Sequence, residues 1–187
     1  MTVQEVTVSG KQVVLTYAYL YESASFALEQ AVQTNEGSFY NCLCSIVMNA
    51  FCLEAYLNHV GKERFSDWDE RASPLDKLDR VARDANIAID YGKRPFQSVR
   101  LTNKFRNSLA HGTTAILPIS YSETSPAKRK VRDQKTQWEK TCTLRNAKRY
   151  LDDFEQVINL IHERYGLDWP PFGVLGTSFY VKQRKRR

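Results

Sequence analysis

From about Phe39 to Val60 the chain is apolar on nearly every side when wound as a helix. Leu43, Ile46, Val47, Ala50, Leu53 and Leu57 recur at helical spacing, and Cys42, Phe51, Ala55 and Tyr56 widen that stripe. A helix apolar on most sides needs other elements around it, so it belongs at the centre of a helical bundle. The run from Asn41 to Leu57 carries Ser45, Asn49 and Glu54 and is short for a bilayer span, which points to burial in protein, with no membrane partner. Glu54 is the exception in this helix. A carboxylate among apolar side chains must find a cation or donors, or take up a proton. Its predicted partner is an arginine or amide on a neighbouring helix; a supporting place beside a catalytic group is the alternative.

The remaining segments arrange themselves around that helix as one domain over 1–187. Val3–Val8 and Gln12–Tyr17 are β-rich runs separated at Ser9-Gly10, which predicts an N-terminal hairpin over 1–18. A helix follows over about 20–32, and Ser38 is placed to cap the central one, with Gly61 as its stop. Ser73-Pro74 opens another helix, whose face is Leu75, Leu78, Val81 and Ala82, to about Ala88. The next runs over 96–111, and the last over 143–165, with Leu144, Ala147, Leu151, Phe154, Ile158 and Ile161 as its stripe. The predicted fold is all-α: an antiparallel bundle of about four to five helices over 20–165 with a small hairpin in front. Residues 122–137 read as an exposed loop. Residues 166–187 read as a tail, aromatic enough at first to fold back on the body and basic and unstructured from Lys182.

The net charge of +6 is unevenly distributed. Pro126 to Arg149 carries nine basic residues against Asp133 and Glu139, and Lys182 to Arg187 carries five with no acid, which leaves the rest of the chain at −6. Positive segments on an acidic body suit a polyanion, although a basic tail also serves solubility alone. Cys42, Cys44, Cys52 and Cys142 have no metal-site spacing, and the first residues lack the basic start and apolar run of a secretory leader. Reduced cysteines and a cytoplasmic setting are expected, with no cofactor.

The helix over 96–111 ends in the most chemically equipped stretch of the chain, Lys104 to Gly112. Leu101, Phe105 and Leu109 form one ridge, and Asn103, Asn107 and His111 another, with Arg106 beside it. Gly112 is expected to stop the helix in the left-handed conformation. The helix's negative end favours a cationic side chain there. On spacing alone this is a solvated polar face with a capping histidine, or else a site.

Arg106-Asn107, three residues, then His111 resembles the Arg-polar-x3-His motif of HEPN domains, small all-helical ribonuclease and nucleotide-binding modules. Gly112 fits the same pattern. Phe51-Cys52-Leu53-Glu54-Ala55-Tyr56-Leu57-Asn58 is similar to the Glu-Ala-x-x-Asn helix that precedes the motif helix in many of them. The resemblance covers about 35–165. It implies a metal-independent endoribonuclease of a toxin–antitoxin or phage-defence system, with a homodimer, RNA and a neutralising antitoxin protein as partners.

The residue types suit that chemistry. When a 2′-hydroxyl attacks the adjacent phosphate, a base takes its proton, an acid assists the leaving 5′-oxygen, and a cation steadies the phosphorane. Histidine suits the proton transfers, and arginine's planar fork suits the phosphate. The expected catalytic residues are Arg106, His111 and Asn107, supported by Glu54 and Asn103. Lys104, Lys128, Arg129, Lys130 and Arg132 are the expected RNA contacts. Arg106 and His111 diverge by about 140° round a helix. A two-fold dimer that pairs the motif helices would gather two of each in one cleft. The alternatives are a non-catalytic RNA- or nucleotide-binding module and a purely structural helix cap.

Overall fold

The computed structural model describes residues 6–118, 134–174 and 176–184. Among these are six helices and one two-stranded ladder: β1 (Val6–Val14), α1 (Thr16–Gln33), α2 (Ser38–Arg64), α3 (Pro74–Asp84), α4 (Phe96–Ala110), α5 (Gln137–Thr141), α6 (Leu144–Tyr165) and β2 (Gly176–Arg184). The fold is a helical bundle. α2 contacts α1, α3, α4 and α6, so the apolar stretch sits at the centre, as its pattern requires. Its 27 residues are long and apolar enough to cross a membrane, contrary to the shorter estimate from the Asn41–Leu57 run. Here Ile46, Cys52, Leu53, Tyr56, Leu57 and Val60 are buried in the bundle.

The core has two parts. The larger gathers Tyr17 of α1, Leu53 and Leu57 of α2, Leu78 and Val81 of α3, Val99 of α4 and Phe154, Val157 and Ile158 of α6. The smaller, at the other end of α2, joins Cys42 and Ile46 to Phe105 of α4 and Ala147 and Tyr150 of α6. The faces of α3 and α6 match their sequence patterns. Ser73 caps α3 by accepting from the Asp76 amide at 3.2 Å, with Pro74 in the first turn.

The N-terminal hairpin is not formed. β1 runs straight through Ser9-Gly10 and pairs antiparallel with β2, Val6 opposite Arg184, Gly10 opposite Tyr180 and Val14 opposite Gly176. Thr16 and Tyr17, expected in the second strand, begin α1, because Tyr17 is needed in the core. The β-rich character was read correctly, but the partner lies at the far end of the chain. Lys182 to Arg184, expected without structure, belong to β2. The aromatic part of the tail does fold back. Trp169 packs against His162, His59 and Tyr17, with ring centroids 4.6, 5.4 and 6.3 Å away, and Phe172 stacks on Tyr21 at 4.1 Å.

Gly61 does not end α2, which continues to Arg64. Its bare Cα lies under the Trp68 ring, where a Cβ would fall about 2.4 Å from the nearest ring carbon. Trp68 is itself held, stacked on Phe65 and donating Nε1–H to Asn58 Oδ1 at 3.1 Å. Gly61→Ala should therefore destabilise the fold by about 1–3 kcal/mol through displacement of Trp68. A lower urea midpoint and altered tryptophan fluorescence would register it; an unchanged midpoint would refute it.

Burial raises the phenol pKa values of Tyr17, Tyr56 and Tyr91, and pushes those of Tyr21 and Tyr165 up to about 12. Tyrosines in the unfolded chain release their protons near pH 10. The folded state thus holds more protons above that pH, so this contribution to stability is full below about pH 10 and is lost as the pH rises through 12. An alkaline titration should show these five of the chain's ten tyrosines ionising only as the helices are lost. All ten forming tyrosinate near pH 10 with the helices intact would contradict it.

Candidate functional site

The apolar face of α4 fixes where its polar groups go. Phe96, Val99 and Phe105 are buried, as are Ser98 and Thr102, and Leu101 and Leu109 pack against the smaller core. Arg106 then falls on the side facing α2. Its Nη2–H donates to Glu54 Oε2 at 2.7 Å, and its Cζ lies 5.8 Å from the centre of the Phe51 ring. The other carboxylate oxygen, Oε1, accepts from Lys77 Nζ at 3.1 Å.

Glu54 thus stands between two cations, one of which the sequence did not suggest. The Lys77 side chain is only 1% exposed and Glu54 25% exposed. Lys77 also donates to the Glu70 carbonyl at 2.7 Å. A buried ammonium needs such partners, and the arrangement satisfies the odd carboxylate of α2 twice over. The signal for Lys77 lay in α3, where it stands one turn before Val81 on the apolar side. The three side chains together carry one net positive charge. Among the described residues Arg106 makes no other hydrogen bond than that to Glu54, so most of its five N–H donors remain open to an anion.

His111 and Asn107 are exposed at the end of the helix, Lys104 is exposed a turn and a half earlier, and Asn103 is half-buried. His111 is the C-cap residue; its amide donates to the Asn107 carbonyl at 3.0 Å. Gly112 follows, but not in the left-handed conformation expected for it. The positive-φ glycines are Gly37, Gly166 and Gly173. What requires glycine at 112 is space: a Cβ would come within 3.0 Å of the Ser108 carbonyl oxygen and 3.2 Å of that of Leu109. The glycine lets the chain turn tightly away and leaves His111 uncovered.

The structure therefore joins Arg106 to Glu54 but does not bring Arg106 and His111 together within one chain. They leave opposite flanks of α4, as their spacing predicts. Lys128, Arg129, Lys130 and Arg132 lie outside the described residues. No group of three His, Cys, Asp or Glu side chains among the described residues is placed to hold a metal ion. The buried thiols are not nucleophiles either: burial raises Cys42 and pushes Cys142 up to about 11 and Cys52 up to about 12.

α5 was missed. The loop expected over 122–137 and the helix expected from 143 leave no element between them, yet Thr136 and Glu139 form a capping box, in which Glu139 Oε2 accepts from the Thr136 amide at 2.6 Å and Thr136 Oγ1 accepts from the Glu139 amide at 3.3 Å. The Thr-x-x-Glu spacing was legible and would have located it. Comparison with known proteins leaves the site to be judged on its own geometry: no family model, no curated protein and no solved structure matches the chain.

Proposed function

We propose that the protein is a cytoplasmic, metal-independent endoribonuclease that acts as a homodimer, of the kind used in toxin–antitoxin or phage-defence systems. The observation that carries this reading is the end of α4: His111 and Asn107 are exposed, and Arg106 is fixed by Glu54 with most of its donors open. His111 would exchange protons with the 2′- and 5′-oxygens, Arg106 would hold the phosphate, and Asn107 would orient either group. The dimer supplies what one chain lacks, an arginine and a histidine on the same side of the phosphate. Its interface is suggested by α2, where exposed Tyr40, Cys44 and Phe51 share one stripe that leads to Glu54 and Arg106.

A second reading is a non-catalytic RNA- or nucleotide-binding module. It is favoured by the Glu54–Arg106 ion pair, which already balances the arginine's charge within its own chain. Purified protein incubated with RNA and a chelator separates the two. The nuclease reading expects cleavage that persists without divalent ions, ends in 2′,3′-cyclic phosphates and disappears in His111→Ala. Absence of cleavage by the wild type, or equal cleavage by both proteins, would overturn it. Light scattering at micromolar concentration should give twice the chain mass; an active monomer would remove the composite site.

A further inference from the structure

A cleft of about 250 Å³ lies between α4 and the short helix α5, on the side of α4 away from Arg106. Phe105, Trp138 and Tyr150 give it aromatic walls, and Lys104, Ser108 and Gln137 are its polar lining. Trp138 is held from behind by Phe39, with ring centroids 6.2 Å apart. The helix that carries Trp138 is anchored by the Thr136–Glu139 capping box. Lys104, Ser108 and His111 follow one another at i, i+4 and i+7, so the cleft opens on the ridge that ends in His111. Arg106 leaves the helix about 160° from Lys104.

We propose that this cleft binds one nucleobase of a single-stranded RNA and so sets the strand's position relative to His111. The base would stack against Trp138, with its edge towards the Gln137 amide and its phosphate beside Lys104. Every base has a π-face, and stacking on aromatic side chains is how unpaired strands are commonly held. Charge favours the same occupant. Lys104, Lys140, Arg145, Lys148 and Arg149 make no ion pair among the described residues, and the acid of α5, Glu139, is engaged in its cap. The Gln137 side-chain amide has no hydrogen-bond partner among the described residues and is open to a base edge. The proposal rests on RNA as the ligand class, as above, but not on its cleavage.

The test uses a 2′-O-methyl RNA oligonucleotide, which cannot be cut by 2′-hydroxyl attack. It carries 2-aminopurine at one position, or an abasic residue in its place. The full-length protein should quench the 2-aminopurine fluorescence and bind the abasic strand about tenfold more weakly. Trp138→Ala should bind both strands equally, and Trp138→Phe should restore most of the difference. Lys104→Gln, at an exposed position where folding is not at stake, should weaken both strands and flatten the dependence of binding on salt. Equal affinity of the wild type for the two strands, or unaltered discrimination in Trp138→Ala, would overturn the subsite. So would a free mononucleotide that binds as tightly as the strand. Metal-independent cleavage of ordinary RNA without base discrimination would remove the subsite and keep the nuclease. Base discrimination without cleavage would do the reverse.

Discussion

His111→Ala should lower the rate of RNA cleavage by about 10²- to 10⁴-fold while leaving the fold intact. That is the range for losing a general acid or base, and His111 is exposed, beyond the last buried turn of α4. Arg106→Ala should be equally inactive, and Arg106→Lys should not rescue it fully, because an ammonium cannot offer a planar fork to two phosphate oxygens. The dimer makes a sharper expectation. If each site draws on both chains, a mixture of Arg106→Ala and His111→Ala proteins should form heterodimers that retain one arginine and one histidine, and should recover part of the activity that neither homodimer has. If the mixture stays as inactive as its components, the shared cleft is refuted even if each single variant behaves as expected. Far-UV circular dichroism on every variant distinguishes lost chemistry from lost structure.

Glu54→Gln should destabilise the protein by about 3 kcal/mol, whereas Lys77→Met should change stability by about 1 kcal/mol or less. The contrast follows from which charge is left alone. Removing Glu54 leaves the Lys77 ammonium, 1% exposed, with the Glu70 carbonyl as its remaining partner. Breaking a buried pair from one side is costly for that reason. The value lies at the lower end of that range because Glu54 is itself a quarter exposed. Removing Lys77 instead leaves Glu54 paired with Arg106, and the methionine fills the lysine's space with no charge to solvate. Urea midpoints of the two variants would decide it. Equal losses would mean that Glu54 contributes nothing specific to Lys77. Glu54→Gln should also loosen Arg106, so its activity should fall even at temperatures where it remains folded.

Much of the bundle was legible because helical burial writes itself into spacing. α2, α3, α4 and α6 were all placed from their apolar stripes, and the start of α3 from Ser73-Pro74. The errors have physical causes. A two-residue Ser-Gly break is a hairpin signal only if the second run pairs with the first; β1 finds β2 instead, more than 160 residues away, and no local rule can see that. Gly61 and Gly112 both read as helix stops, Gly112 in the left-handed conformation, but each is needed for closeness, to the Trp68 ring and to backbone carbonyls. The site was legible in part. The need of Glu54 for a cation followed from its apolar neighbours, and the divergence of Arg106 and His111 from helical geometry. Lys77 was overlooked, because a lysine usually reads as surface, although its place one turn before Val81 put it on the apolar side of α3.

The pairing of Val6 with Arg184 and of Val14 with Gly176 makes the described chain a closed circuit. Its first and last strands are zipped side by side, with the whole helical bundle looped between them. The two strands are therefore one structural unit, and the described chain enters and leaves the fold at the same place, at Val6 and Arg184.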